Sequence, residues 1–241
     1  MTYVLTPEQM RAADAAAVDA VGEEALMRNA GMQIADVLRR IVPVGGRVVA
    51  FAGPGNNGGD AYAALAELGP EYDCVIHAAP SPKASAARLA AQARARAAEV
   101  ALAPLPTSES AAHAALEGAI AVDGLFGTGA RLPLAPEYRV LTRALDARRH
   151  RVLAIDIPSG VDAGSGSVSE DAVRATVTVT LGAAKPGLLL DLAREHVGEL
   201  WCARIGIDES ILAAQPRTFA ALDDAELLAL LPKRAVNTDK R

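Results

Sequence analysis

Four short segments of the chain concentrate the side chains that can hold an anion or exchange a proton. They are Gly53-Pro-Gly-Asn-Asn-Gly-Gly-Asp60, Asp123-Gly-Leu-Phe-Gly-Thr-Gly-Ala-Arg-Leu-Pro133, Asp156-Ile-Pro-Ser-Gly-Val-Asp162 and Gly182-Ala-Ala-Lys-Pro-Gly187. The first lies between an apolar run, Val48 to Ala52, and a helix-like stretch, Ala61 to Leu68. A strand that ends in glycines and opens into a helix leaves backbone N–H groups free, and the helix dipole adds positive charge where they point. That is a cradle for phosphate. Asn56, Asn57 and Asp60 add amides and a carboxylate to the same turn, fit to orient a ribose, a nicotinamide amide or a cation. Taken literally, Gly53-x-Gly55-x-x-Gly58 is the dinucleotide fingerprint, which predicts an acid for the ribose about 20 residues on, at the end of the next strand. The next strand, Asp73-Cys-Val-Ile-His-Ala-Ala79, has its acid at the start and a histidine toward its end. An NAD-dependent oxidoreductase is disfavoured on that ground.

Asp156 is the leading candidate for acid–base work, because it ends a buried strand where partial desolvation suits proton exchange. Lys185 is the second, with a competing role as the partner of a phosphate or of Asp156. Ser159 sits in Ile157-Pro-Ser-Gly160, which lacks the first glycine of a nucleophile elbow, so a serine hydrolase is unsupported. His77, His113, His150 and His196 are isolated and lack metal-ligand spacing, and read as surface or helix-end residues. Trp201 reads as core or interface.

These groups need a scaffold that brings them to one edge. Thr6-Pro-Glu-Gln9 is a capping box with proline at the first helical position, opening a helix to about residue 20, and a second helix follows over about 23–41. Strands are expected at 47–52, 73–79, 119–123, 151–157, 175–181 and 199–205, with helices near 58–68, 84–99, 109–117 and 137–149. The strands are mostly continuous apolar runs, the pattern of a parallel sheet covered on both faces. The fold class is α/β: a three-layer αβα Rossmann-like sandwich with a mostly parallel sheet and extra N-terminal helices. The four polar segments then fall at the carboxyl ends of strands, where open α/β sheets bind ligands. The Ala/Arg-rich stretch 84–99, with Arg88, Arg94 and Arg96, reads as a solvated helix with an alanine face. With 51% hydrophobic content in 241 residues, one sizeable core is comfortable, and 3% aromatics mean it is aliphatic. A net charge of −5 offers no general attraction to nucleic acid or to an anionic membrane. Cys74 and Cys202 read as reduced and buried. No stretch approaches a membrane span, and a cytoplasmic location is expected.

The segments Gly55-Asn-Asn-Gly-Gly-Asp60, Asp123-Gly-Leu-Phe-Gly-Thr-Gly129, Asp156-Ile-Pro-Ser-Gly-Val-Asp162 and Lys185-Pro-Gly187, with Met27-Arg-Asn-Ala-Gly31, closely resemble the signature motifs of the NAD(P)H-hydrate epimerases, the YjeF N-terminal domain family. The resemblance spans about residues 5 to 212. The family's first loop usually ends Gly-Asp-Gly, whereas Ala61 follows Asp60 here; the change is harmless if Ala61 is the first residue of a helix. The resemblance implies an isomerase that interconverts the R and S forms of NADH or NADPH hydrated at C6 of the nicotinamide ring, by acid–base catalysis through Asp156 and Lys185. It implies substrate contacts at Asn56, Asn57, Gly58, Gly59 and Asp60, at Gly127, Thr128, Gly129, Ala130, Arg131, Leu132 and Pro133, and at Asp156. It implies a potassium ion on Asn57, Asp123 and Ser159, and a homodimer. A non-catalytic dinucleotide-binding or scaffold module is the alternative. Residues 1–212 are expected to form the epimerase domain and 213–241 a linker into a C-terminal dehydratase domain, with a short amphipathic helix over 223–231.

Overall fold

The computed structural model of the protein describes residues 2–147, 151–216 and 219–221. Helix α1 (Pro7–Val21) begins with both halves of the capping box: Gln9 N–H donates to Thr6 Oγ1 at 3.2 Å, and Thr6 N–H donates to Gln9 Oε1 at 2.9 Å. Helix α2 (Glu23–Ile41) follows after Gly22, whose φ of 85° suits a residue without a Cβ. Then come β2 (Arg47–Ala52), α3 (Asn56–Leu68), β3 (Asp73–Ala78), α4 (Ala86–Ala97) and β4 (Ala101–Pro104). The second half runs through α5 (Glu109–Ala115), β5 (Ile120–Gly124), α6 (Pro136–Asp146), β6 (Val152–Ile155), β7 (Val177–Leu181), α7 (Arg194–Val197), β8 (Glu199–Ala203) and α8 (Glu209–Ala213). Strands β1 (Thr2–Val4) and β9 (Phe219–Ala221) pair antiparallel in a small sheet of their own.

The main sheet has seven parallel strands in the order β4-β3-β2-β5-β6-β7-β8. The chain winds outward from β2 through β3 and β4, then starts again beside β2 at β5 and winds the other way. The crevice for a ligand therefore opens where β2 and β5 diverge into their following segments. Alternation within β2 explains the layering. Val48, Ala50 and Ala52 point into a core with α2, α3 and α4, while Val49 and Phe51 point into a second core with Leu116 at the end of α5 and Leu141 and Leu145 of α6. Both faces are covered, as the apolar runs require.

Three strands were not legible. The edge strand β4 is four residues with alanine at two positions and proline at its end, and β1 and β9 are three residues each. Such segments are too short to show a period. The expected helix over 223–231 lies outside the described residues. Cys202 is exposed, not buried as expected, while Cys74 is buried. His196 is buried, with Nδ1 3.1 Å from the Val173 carbonyl oxygen, rather than at the surface.

Candidate active site

Helix α3 starts at Asn56, with Gly55 as its cap, so Asn56 to Asp60 form its first turn instead of a loop ahead of it. The reason is steric. A Cβ on Gly58 would collide with the Gly53 carbonyl oxygen, so glycine lets the helix begin immediately against the strand end. Ala61 lies inside this helix, fully buried, not at its first residue; the departure from Gly-Asp-Gly puts no strain on the backbone. The free N–H groups at the start of α3 face the crevice beside residues 125–130.

Arg88 of α4, expected on a solvated face, is 4% exposed. Its guanidinium donates to the Gly55 carbonyl oxygen and stacks over Tyr62 at 5.4 Å, bracing the cap of α3. Burial lowers its pKa, and the nearby Tyr62 and Asp60 oppose that. A longer apolar pattern around it would have been needed to foresee this, and α4 offers alanines only.

The cleft has a volume of about 460 Å³. Asn56, Asn57, Asp60, Gly127, Thr128, Gly129, Ala130, Asp156 and Lys185 all line it, drawn from three strand ends and one helix. Gly58 and Gly59 lie in the helical turn behind the wall, and Arg131, Leu132 and Pro133 continue the loop outside it. Asp123 and Ser159 are buried, 0% and 1% exposed, and are not among the lining residues.

Asp156 follows β6 with φ of 64°, a left-handed conformation that aims its carboxylate across the sheet edge. Lys185 Nζ donates to its Oδ1 at 2.5 Å, to Thr180 Oγ1 at 3.0 Å and to the Leu181 carbonyl at 2.8 Å. Oδ1 also accepts from Thr180 Oγ1 and Leu181 N–H, each at 3.3 Å, and Oδ2 accepts from Thr128 N–H at 3.2 Å. Lys185 is 1% exposed, so a buried charge is matched by a carboxylate at the cleft wall. A Cβ on Gly127 would sit 2.8 Å from Asp156 Oδ2, which is why the loop needs glycine there.

Behind them, Asp123 accepts from Ser159 N–H and Ser159 Oγ, both at 2.7 Å, and from Leu125 N–H at 3.2 Å. Ser159 Oγ in turn accepts from Phe126 N–H at 3.2 Å. Burial pushes the Asp123 carboxyl up to about 6, against the lowering effect of these bonds.

Two further acids complete the cleft. Asp60 is buried, and burial holds its carboxyl well above the usual range, with Asp156 and Asp14 adding repulsion. Asp14, on α1, was absent from the sequence expectations. Burial raises it to about 6, with Lys185 opposing and Asp156 reinforcing the shift. Its position among alanines on α1, like that of Asp19 one turn on, looks like an ordinary solvated face, so no sequence signal marked it. Trp201 is outside the cleft, half-buried under the Arg40 guanidinium at 5.0 Å.

Similar proteins agree with this picture. A family model described as YjeF-related protein N-terminus matches residues 23–187. The chain is 38% identical over 196 residues to the NAD(P)H-hydrate epimerase of Bordetella pertussis, covering 78% of this chain and 82% of that protein. It is 33% identical over 242 residues to the bifunctional NAD(P)H-hydrate repair enzyme Nnr of Coxiella burnetii, which covers 100% of this chain. It is 36% identical over 203 residues to the protein of the same name from Pyrobaculum aerophilum, over 82% of this chain. The chain spans only 49% and 40% of those two bifunctional proteins. The crystal structure of yeast ynu0 superposes with a TM-score of 0.73 at 19% identity, covering 92% of this chain and 98% of that one, which supports the fold. The chain belongs to the YjeF-related protein N-terminus family.

Proposed function

We propose that this cleft binds NADH or NADPH hydrated at C6 of the nicotinamide ring and interconverts the R and S epimers. The observation that carries this is the Lys185–Asp156 pair set in the wall of a cleft whose other wall is the N-terminus of α3. A pyrophosphate suits the free N–H groups of that helix, and Gly127 to Ala130 offer close backbone approach to the rest of the dinucleotide. Arg131, Leu132 and Pro133 extend the same loop toward the outer part of the ligand. The C6 carbon bears both a hydroxyl and the ring nitrogen. Loss of water assisted by nitrogen leaves an iminium cation, and water re-enters from either face. The step needs proton exchange and an anionic environment, with no hydride transfer and no covalent nucleophile. Asp156 supplies a fixed carboxylate beside the developing cation, and Lys185 holds that carboxylate in place.

Potassium is part of the same proposal. Asn57, Asp123 and Ser159 would hold it, and their chemistry fits: all offer oxygen donors, suited to a hard monovalent cation. Asp123 is fully buried and no cationic side chain pairs with it among the described residues. When bound, the ion supplies the positive charge that this buried carboxylate lacks and steadies the loops around it. We further propose a homodimer, testable by light scattering, and a cytoplasmic location; no helix among the described residues is long and apolar enough to cross a membrane. Residues 1–212 as the epimerase domain, followed by the start of a dehydratase domain, is likewise a proposal that the length of the full reading frame decides.

The deciding experiment mixes the protein with the separated R epimer of hydrated NADPH, with and without potassium, and follows conversion chromatographically beside Asp156→Ala. Conversion by the wild type faster than buffer, lost in the variant, supports the reading. Binding of the dinucleotide without conversion makes the protein a binding module.

A further inference from the structure

Asp156 is held on both oxygens. Oδ1 accepts from Lys185, Thr180 and Leu181, and Oδ2 accepts from Thr128, so the carboxylate is fixed in place by four donors. It is well built to stand beside a cation and poorly built to carry a proton to and fro. Protonation would take away the negative charge that matches a buried ammonium. Epimerisation nevertheless needs a neutral acid to protonate the departing hydroxyl and a base to take the proton back.

Asp14 meets that need by position. It lies on α1 in the lining of the cleft that Asp156 and Lys185 line from the sheet edge, and Glu23 of α2 and Asp60 of α3 line the same space. Among the described residues its carboxylate takes no hydrogen bond and no ion pair, so it is uncommitted, unlike Asp156. It is also half-buried, with an open side toward the ligand space. We infer that Asp14 is the proton-transferring catalytic residue of this cleft, and that Asp156 with Lys185 is its electrostatic partner. The inference rests on the proposed epimerisation.

Neutral Asp14 gives its proton to the C6 hydroxyl oxygen as the C6–O bond breaks, and the bonding pair leaves with the oxygen as water. The nitrogen lone pair closes the N1–C6 double bond, so the ring carries the positive charge and Asp14 the negative. Water then adds to C6 from the other face, the double-bond pair returns to nitrogen, and the released proton passes through the water of the open cleft to Asp14. Nothing is consumed. Burial keeps the acid form accessible near neutrality: it raises Asp14 to about 6 against the opposing charge of Lys185, and Asp156 reinforces it. The neighbouring Asp60 is itself raised, so it adds little charge.

The test compares wild type, Asp14→Asn and Asp14→Glu in the chromatographic assay with the R epimer of hydrated NADPH, over a series of pH values. Binding of the dinucleotide and thermal melting are measured on the same samples. Asp14→Asn is expected to lose about 100-fold or more in kcat, the scale of general acid catalysis, with KM changed only a few-fold. The wild-type fall in kcat/KM as pH rises through about 6 should vanish in Asp14→Asn and persist in Asp14→Glu. Asp14→Asn within threefold of wild type with the same pH profile overturns the inference alone. So does an equal loss in both variants accompanied by lost binding or lower melting. A wild type that binds the dinucleotide without converting it overturns the proposed function, and this inference with it.

Discussion

The Lys185–Asp156 pair makes the sharpest quantitative demand on the structure. Replacing Lys185 by Met keeps most of the aliphatic stem and removes three donated hydrogen bonds, to Asp156 Oδ1, Thr180 Oγ1 and the Leu181 carbonyl. Breaking a buried pair by removing one partner costs about 3–5 kcal/mol, because the other charge stays behind unmatched. Here the orphan is Asp156, which keeps three weaker donors at 3.2–3.3 Å and whose side chain is 11% exposed at the cleft. Water therefore relieves part of the penalty, and the expected loss is about 3 kcal/mol, roughly a hundredfold in the folding equilibrium. Asp156→Asn strands an ammonium that is 1% exposed and should cost at least as much. The double variant strands neither charge. It should cost about as much as either single change rather than their sum, a coupling of about 3 kcal/mol.

Equilibrium urea denaturation of the four proteins at one near-neutral pH and one potassium concentration reads this directly, provided the slopes agree. A cost below about 1 kcal/mol for Lys185→Met would refute the burial argument. So would additivity of the two changes to within about 0.5 kcal/mol, the behaviour of sites that do not interact.

Other consequences follow from the same geometry. Asp156→Gly should be about 1 kcal/mol more stable than Asp156→Ala, since φ of 64° strains alanine and not glycine, while both lack activity; paired melts in denaturant check this. Gly127→Ala should cut kcat about tenfold or more with little change in melting, because the new methyl meets Asp156 Oδ2 at 2.8 Å and displaces the carboxylate by tenths of an ångström. Potassium at a hundred times its Kd should add about 2.7 kcal/mol, or roughly 5–10 °C in Tm, to the wild type and nothing to Asp123→Asn, read by scanning calorimetry against lithium. Asp14 binds its proton more tightly folded, at about 6 against 3.8, so its contribution favours folding in acid and fades as pH rises through that window. After allowance for its partial exposure, Asp14→Asn should gain about 1–2 kcal/mol on wild type between the acid and neutral ends, measured by urea midpoints.

Legibility followed the physical signal each residue leaves. The parallel sheet was readable because strands buried on both faces must be continuously apolar, and the rim was readable because glycine and aspartate cluster where strands end. Those two facts together place Asp156 and Lys185 at one edge from sequence alone, and the structure brings them to 2.5 Å. The start of α3 lies earlier than local propensity predicts. Asparagine and glycine are poor helix formers, yet Asn56 to Gly59 are helical because Arg88 and the close approach to Gly53 hold the first turn there. Tertiary contact overrode local propensity. The same holds for Arg88, whose burial depends on a carbonyl 33 residues away.

Asp14 shows why a site can be complete in space and incomplete in sequence. The rim residues belong to strand ends, where the alternation of apolar run and polar turn announces a ligand edge. Asp14 belongs to a helix appended ahead of the sheet, and on α1 it differs in no local way from Asp19, which is exposed. What separates them is the packing of α1 beside α2 and α8, which turns one acid over the cleft and leaves the other in water. A helix that contributes no strand and no loop to the sheet edge thus lines the site and puts an uncommitted carboxylate, Asp14, beside the committed Asp156. This is the division of labour that a reaction with a departing hydroxyl and a cationic ring demands: one carboxylate fixed in place by four donors, and another free to lose and regain its proton.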